Sequence, residues 1–208
     1  MDTSPRPVFD NPVTGERAIV ITDPREHPER VLVSELHVSP GGRVAAAHLH
    51  PTVEERFLVL RGQVGFLIGA EERLLGPGEG ATVPAGTVHD WWQVGDEEAL
   101  VIVEVSPGDR FVEMVGSLFG LARDGKVNAE GMPDPLQLAV MGNEYRETIA
   151  FTKPPRIVQR LTVPPLALLG RLAGKKPKYD EYLEPGLTVD PDPAVLAELT
   201  ADGRLREL

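Results

Sequence analysis

The sequence predicts a mainly β protein whose C-terminal part is largely α-helical. Three observations favour this fold class: short β-type runs fill the first half of the chain, turn residues separate these runs, and apolar residues recur at helical spacing after residue 107. Glycine (21) and proline (20) together account for 41 of the 208 residues. Such frequent turn residues favour short strands over long helices.

Eight short strands are predicted in the first half of the chain. Glycine-containing turns separate several of them, for example Pro40-Gly41-Gly42 and Gly76-Pro77-Gly78. The predicted strands span residues 17–22, 31–38, 43–50, 55–60, 64–68, 80–84, 88–94 and 100–105. Closely spaced strands with turn signals between them are typical of a β-sandwich or a β-barrel.

Three helices are predicted in the second half of the chain. The first begins near Asp109, a candidate N-cap, and ends at Asp124-Gly125. The second follows Asp134-Pro135, and a short third helix follows Asp192-Pro193. The apolar residues that share one helical face are Phe111, Val115, Leu118 and Ala122 in the first helix, and Leu138, Met141, Tyr145 and Ile149 in the second.

Composition excludes several classes of protein. The chain has no cysteine, so disulfides, thiolate catalysis and iron–sulfur clusters are excluded, and any metal must be held by His, Asp or Glu. The formal net charge of −11 disfavours nucleic acid as a partner. The N-terminus lacks a basic segment followed by an apolar run, so we expect a cytoplasmic protein.

Residues 151–178 differ in charge from the rest of this acidic chain, because they contain seven basic side chains and no acidic one. One interpretation is that this basic, leucine-rich segment lies on an anionic membrane surface. The other is that it docks on the acidic β region of its own chain or of a neighbouring subunit. We favour docking, because Pro164-Pro165 is expected to interrupt the continuous helix that membrane-surface binding usually requires.

Three of the five histidines occupy positions that suit a metal site. His48 and His50 are two residues apart, so on a strand they point to the same face. Glu55 opens the next predicted strand, and a hairpin would bring its carboxylate opposite both imidazoles. His89 begins a later strand. Three nitrogen donors and one carboxylate suit a divalent first-row ion (Fe, Mn, Ni, Cu or Zn) and leave two of six octahedral positions open.

The other two histidines receive no metal role. His27 lies in a polar loop, and His37 shares a strand face with Glu35, where we expect it to be exposed.

The spacing of these residues resembles the two motifs of the cupin superfamily. The first motif is matched by Gly42, His48, His50, Glu55 and Gly62, and the second by Gly78, Pro84, Gly86, His89 and Gln93. Gln93 is a departure, because the family usually has Asn at that position. It lies outside the predicted ligand set. The departure therefore puts in doubt only a contact to the residues that surround the ligands, and not the ligands themselves.

The resemblance implies a single-domain metal-binding cupin. The fold would be a cupin β-barrel, also called a double-stranded β-helix or jelly roll, usually found as a homodimer. The implied segments are an N-terminal arm with the first strand (1–30), the barrel core (31–106) and a helical, proline-rich extension (107–208). The implied metal ligands are His48, His50, Glu55 and His89.

The residues that share the ligands' strand parity predict the lining of a pocket. We expect Ala46, Phe57, Val59 and Trp91 to bind substrate, beside side chains that fill the core. No arginine is clearly placed on the inner face, apart from Arg43 or Arg61 near strand ends. A neutral or monoanionic organic molecule is therefore favoured over a small dianion.

Three functions remain open, and an enzyme is favoured. In the first, the protein is similar to quercetinase-like cupin dioxygenases, an oxidoreductase in which Glu55 serves as a catalytic base. In the second, it is a non-redox isomerase, decarboxylase or lyase with a Lewis-acid metal. In the third, it is a small-ligand-binding module without catalysis.

Overall fold

The structure is a computed structural model that describes residues 4–184 and 186–206. Residues 1–3, within the predicted N-terminal arm, and residues 185, 207 and 208, within the predicted extension, lie outside the described residues. The strands are β1 (Arg6–Asn11), β2 (Glu16–Thr22), β3 (Leu32–Val38), β4 (His48–Leu49), β5 (Glu54–Arg61), β6 (Gln63–Ile68), β7 (Glu71–Leu75), β8 (Gly80–Val83), β9 (His89–Val94), β10 (Ala99–Ser106), β11 (Ala150–Phe151) and β12 (Thr188–Val189). The helices are α1 (Asp109–Arg123), α2 (Pro135–Glu144), α3 (Arg156–Leu172), α4 (Asp180–Leu183) and α5 (Pro193–Ala197).

The strands form two antiparallel sheets, which confirms the mainly β fold class with C-terminal helices. The seven-stranded sheet has the order β12-β1-β2-β3-β10-β5-β8, and the five-stranded sheet has the order β11-β4-β9-β6-β7. The predicted β-barrel is not closed, because no ladder in the described part of the chain joins the two sheets. Apolar side chains join them instead: the rings of Phe57 on β5 and Phe66 on β6 lie 5.0 Å apart between centroids.

The hairpin predicted between the two His residues and Glu55 is also wrong. β4 belongs to the five-stranded sheet and β5 to the seven-stranded sheet, so residues 50–53 cross from one sheet to the other. Only two residues of the predicted strand 43–50 form β4, while Arg43 makes an isolated bridge with Trp92. Glu55 does lie opposite the histidines as predicted, but it reaches them across the layer between the two sheets and not across a hairpin within one sheet.

The C-terminal segment covers the outer face of the seven-stranded sheet. The Glu35 carboxylate accepts a hydrogen bond from the Asp192 backbone N–H at 2.8 Å. The Glu104 carboxylate accepts one from the Leu205 N–H at 2.7 Å and also contacts Arg56 and Arg204. Because α5 and residues 199–205 add an apolar cluster here, every residue of β3 is buried.

His37 is buried under this C-terminal segment, so the expectation that it is exposed is wrong. Its Nε2 lies 2.7 Å from Glu35, and its Nδ1 lies 2.7 Å from Glu98. The hydrogen bond to Glu35 raises the pKa of His37 above its ordinary value. Its carboxylate partners stand on the outer side of the sheet, so His37 has no part in the histidine cluster between the sheets.

α3 is continuous over 17 residues with Pro164 and Pro165 inside it, so the predicted interruption is wrong. Its packing on α2 explains why the helix persists. Gly170 lies so close to α2 that a Cβ there would overlap the Val140 side chain and the Leu136 carbonyl. In the part of the chain that the structure describes, no helix is both long and apolar enough to cross a bilayer.

Part of the basic segment pairs with acidic residues of the neighbouring helices. Arg171 contacts Glu144 at 2.9 Å, Lys175 contacts Asp134 at 2.6 Å, and Lys178 contacts Glu113 at 3.4 Å. These acidic residues lie on α1, on α2 or immediately before α2. The expectation that the segment docks on the acidic β region of its own chain is therefore wrong for these three pairs.

Glu16, at the start of β2, is a buried carboxylate whose titration affects stability. Its only hydrogen bond among the described side chains comes from the Thr14 hydroxyl, at 2.6 Å. Burial raises the pKa of Glu16 from 4.5 to about 7, against the lowering effect of Thr14. The folded protein thus binds this proton more tightly than the unfolded chain does. The contribution of protonated Glu16 to the stability of the protein is fully present below about pH 4.5, and it is lost as the pH rises through about 7.

We expect the Glu16→Gln substitution to remove this pH dependence, since glutamine does not titrate. The wild-type free energy of unfolding should fall between pH 5 and pH 8.5 by about 3 kcal/mol more than that of the variant. Urea unfolding at the two pH values measures the difference. Glu72→Gln, on the exposed strand β7, is the matched control and should behave as wild type. Equal pH dependence in wild type and Glu16→Gln would contradict the assignment.

Candidate metal centre

The two sheets bring four predicted ligands together. His48 on β4 and His89 on β9 are direct partners in the five-stranded sheet. Glu55 on β5 approaches from the seven-stranded sheet, and His50 follows β4 at the start of the crossing. Gly86 holds this crossing, because its N–H donates to the His50 carbonyl at 2.7 Å from a backbone with φ of +81°.

The cluster is compact and buried. One ligand atom from each of the four residues lies within 4.8 Å of the others. Glu55 Oε2 lies 2.9 Å from His89 Nε2 and 3.4 Å from His50 Nε2, and the rings of His48 and His89 lie 4.3 Å apart between centroids. None of the four residues is more than 5% exposed. A group with this composition and spacing could hold a metal ion.

Backbone carbonyls orient all three imidazoles. Nδ1 of His48 contacts the Ala46 carbonyl at 2.8 Å, Nδ1 of His89 contacts the Thr87 carbonyl at 3.1 Å, and Nδ1 of His50 contacts the Thr148 carbonyl at 2.6 Å. A carbonyl only accepts, so each Nδ1 carries the proton and each Nε2 of a neutral ring keeps a free lone pair. Metal-binding histidines are commonly held this way.

The inward-facing atoms of the cluster lack the hydrogen bonds that buried polar atoms normally make. Nε2 of His50, Nε2 of His89 and Oε2 of Glu55 are all buried without a hydrogen-bond partner, although they face one another at contact distance. Leaving buried polar atoms unpaired costs free energy, so each such group calls for an explanation. A divalent cation among them would satisfy the nitrogen lone pairs and the carboxylate together. The residues present therefore fit a metal ion.

The charge states that the site imposes suit metal binding. Burial, together with the neighbouring His89 and His50, lowers the pKa of His48 to about 4, so this imidazole is neutral at neutral pH. Burial alone would raise the pKa of Glu55, but the imidazoles of His50 and His89 together outweigh burial, and the pKa lies below its ordinary value. Burial likewise opposes the charge on His50, yet Glu55 raises the pKa of that imidazole. The site thus offers an anionic carboxylate and at least one neutral imidazole.

Two residues from the C-terminal half contact the cluster, and sequence reasoning assigned neither to the site. Phe111 on α1 packs on His50 with ring centroids 5.4 Å apart, and Thr148 supplies the carbonyl that holds His50 Nδ1. β11 also pairs beside β4, placing Phe151 opposite His48. Phe111 appears in the sequence only as part of a helical apolar face, and a backbone carbonyl carries no sequence signal. The extension therefore contributes directly to the surroundings of the site.

Gln93, the departure from the second motif, lies outside the ligand cluster. Its side chain links the turn at Gly41 to the turn that follows β9. Its side-chain oxygen accepts from the Gly41 N–H at 2.8 Å, and its amide nitrogen donates to the carbonyls of Val94, Gly95 and Glu97. Both ends of this buried amide are thus satisfied, and it makes no described contact with the four clustered residues.

The predicted substrate-binding residues lie in the layer between the sheets. Phe57, Val59 and Trp91 are at most 6% exposed and belong to the main apolar cluster, while Ala46 is half-buried beside His48. A cavity of about 670 Å³ lies next to the site, under α2 and α3. Its wall includes Pro51, which follows His50. The substrate-binding role of the four residues stays a prediction.

Comparisons with known proteins place part of the chain in a family. Residues 34–111 match the cupin domain family model. No curated protein matches the chain. Among solved structures, the chain is similar to KdgF from Halomonas sp. (22% identity, 45% of this chain and 79% of that chain, TM-score 0.40). It is also similar to a cupin-superfamily sugar phosphate isomerase from Silicibacter pomeroyi (20% identity, 50% of this chain and 71% of that chain, TM-score 0.43). A third similar structure is TT1209 from Thermus thermophilus (31% identity, 43% of this chain and 83% of that chain, TM-score 0.38).

The matched stretch contains every residue of the cluster. His48, His50, Glu55 and His89 all lie within residues 34–111, on strands of both sheets. The match also reaches Phe111, the residue of α1 that packs on His50. Residues 34–111 of this chain therefore form a cupin domain.

Proposed function

We propose that this protein is a metal-dependent dioxygenase that acts on a small, fairly apolar organic molecule. The observation that carries the proposal is the set of imidazoles held by backbone carbonyls, with unpaired nitrogen atoms facing the Glu55 carboxylate in a buried site. A redox-active divalent ion bound there would relay electrons from the organic substrate to dioxygen, so that the substrate is oxidised as it takes up both oxygen atoms.

The chain's own residues supply orientation, a proton acceptor and exclusion of water. The three Nδ1 hydrogen bonds keep each imidazole in one orientation without rearrangement during turnover. The Glu55 carboxylate stays anionic beside His50 and can accept a proton from a substrate hydroxyl. Phe111 packs on His50 and helps to keep water from this side of the site.

The arrangement of charges supports a neutral or monoanionic substrate. Arg61, one of the two arginines near strand ends, pairs with Asp192 at 2.9 Å on the side covered by the C-terminal segment. The other, Arg43, lies on a bridge to Trp92. In the described residues neither contacts the four clustered side chains. Together with the apolar neighbours Phe57, Val59 and Trp91, this favours a phenolic or enolic molecule over a phosphorylated sugar.

Oxygen consumption tests the proposal. The full chain, loaded anaerobically with Fe(II), is expected to consume dioxygen when phenolic or enolic compounds are added, with one product molecule formed per dioxygen. Glu55→Gln, made and loaded in the same way, should reduce the turnover rate about 100-fold or more, because a proton acceptor is lost. Bound iron is measured in parallel, so that loss of metal and loss of the base are told apart. Glu54→Gln, the exposed neighbour, is the matched control.

Three outcomes would contradict the proposal. Turnover without dioxygen, sustained by zinc, would assign the site to a non-redox isomerase, decarboxylase or lyase. A bound compound recovered unchanged would assign it to a binding module. Unchanged turnover in Glu55→Gln with full iron content would remove Glu55 from the reaction.

A further inference from the structure

α3 exposes a continuous apolar stripe that the rest of the described chain does not cover. Its large apolar side chains are exposed to between 40% and 77%, a range that buried helix faces do not reach. At about 100° per residue, the stripe spans ~140° of the helix surface. Its members are Ile157, Val158, Leu161, Pro164, Pro165, Leu168, Leu169 and Leu172. An amphipathic helix normally turns such a face toward a partner.

Cationic side chains follow one edge of the stripe. On the helix, Arg156 and Arg160 lie ~60–100° from Ile157, between the stripe and the side packed on α2. Neither they nor Lys153 makes an ion pair among the described residues, whereas three of the four basic residues from Arg171 to Lys178 do. The unpaired cations are therefore available to an external anion.

The same cations border the cavity under α3. Lys153, Arg156 and Arg160 line this space of about 670 Å³ together with apolar residues such as Phe151 and Leu166. The surface thus combines an exposed apolar stripe with adjacent positive charge and an amphipathic recess.

We propose that α3 and its basic edge attach the protein to the surface of an anionic phospholipid bilayer. The stripe would lie in the plane of the interface with its leucines among the acyl chains, while Lys153, Arg156 and Arg160 contact the phosphates. Charge favours an anionic surface over a second copy packed through the same stripe, because an anionic surface neutralises the unpaired cations, whereas a second copy carries the same cations. The chain has a net charge of −11, but the unpaired Lys153, Arg156 and Arg160 place positive charge beside the stripe and would orient this side toward the phosphates.

Co-sedimentation of the full chain with vesicles tests the proposal without reference to the metal centre. One set of vesicles is phosphatidylcholine, and the other is an equal mixture of phosphatidylcholine and phosphatidylglycerol. We expect binding to the mixed vesicles at low ionic strength, at least about tenfold weaker binding to phosphatidylcholine alone, and a decrease with added salt.

Paired variants separate the stripe from the rest of the surface. Leu161→Gln with Leu168→Gln should reduce binding about tenfold or more, and Arg156→Gln with Arg160→Gln should remove most of the preference for anionic vesicles. Leu74→Gln with Leu187→Gln changes equally exposed leucines elsewhere and should bind as wild type. All of these positions are exposed, and circular dichroism with thermal unfolding checks that each variant folds.

The following results would overturn the proposal. One is the absence of wild-type binding to either kind of vesicle. Another is wild-type binding by the Leu161→Gln, Leu168→Gln variant. A third comes from sedimentation velocity: a wild-type dimer that becomes a monomer in that variant, without vesicle binding, would assign the stripe to a second copy of the chain.

Discussion

Replacing His48 and His50 together by alanine is expected to abolish metal binding. The wild-type protein, loaded anaerobically and desalted, should retain about one divalent ion per chain, and the double variant less than about one tenth of that. The substitution removes two of the four clustered ligands and leaves Glu55 with a single imidazole, His89, as its neighbour. Elemental analysis of both proteins measures the difference.

A matched control uses a histidine outside the cluster. His27 lies in the loop between β2 and β3 and is not one of the four clustered residues, so His27→Ala should bind the ion as wild type does. The metal should also raise the thermal unfolding temperature of the wild type and of His27→Ala, but not that of the double variant, since only a protein that binds the ion is stabilised by it. Retention of a full equivalent by the double variant would place the metal elsewhere.

Replacing Glu104 by alanine is expected to cause a large loss of stability. This 1% exposed carboxylate holds the C-terminal segment on the seven-stranded sheet through Arg56, Arg204 and the Leu205 N–H. Its removal leaves two arginines and a buried N–H without their acceptor. We expect a loss of about 3 kcal/mol, at the low end for buried pairs because Arg204 still reaches water.

Thermal unfolding measures this loss as a decrease of roughly 6–12 °C in Tm. Glu72→Ala, on the exposed strand β7, removes a glutamate without buried partners among the described residues and should change Tm by less than about 2 °C. Limited proteolysis gives a second measurement, because release of the segment exposes the residues around Leu205 to cleavage. A Glu104→Ala protein with unchanged Tm and unchanged cleavage would contradict this account of the C-terminal segment.

Sequence patterns predicted the elements of the fold whose causes are local. The alternation of side chains between the two faces of a strand predicted which residues of β5 and β9 point inward, and Phe57 and Trp91 are buried as expected. Asp134 followed by proline predicted α2, and the Asp134 side chain does accept from the first N–H groups of that helix. The alternation of side chains along a strand and the capping of a helix depend on a few neighbouring residues, so both can be predicted from a single sequence.

The errors concern relations between elements. Whether β4 and β5 form a hairpin or cross between sheets depends on which strands each of them meets, and those partners come from distant parts of the chain. The prolines of α3 were expected to end a helix, but packing at Gly170 against α2 preserves it. His37 was expected at the surface because the segment that buries it lies more than 150 residues away in sequence.

The sequence by itself determined the ligand types of the candidate site, the parity that puts His48 and His50 on one side, and the mainly β fold class. Tertiary structure alone decided how these ligands meet. It places Glu55 across the layer between two open sheets, and it supplies the Thr148 carbonyl and the Phe111 ring from the C-terminal half. The physical reason is that a backbone carbonyl acts through its position and an aromatic ring through its contacts, and both are set by long-range packing.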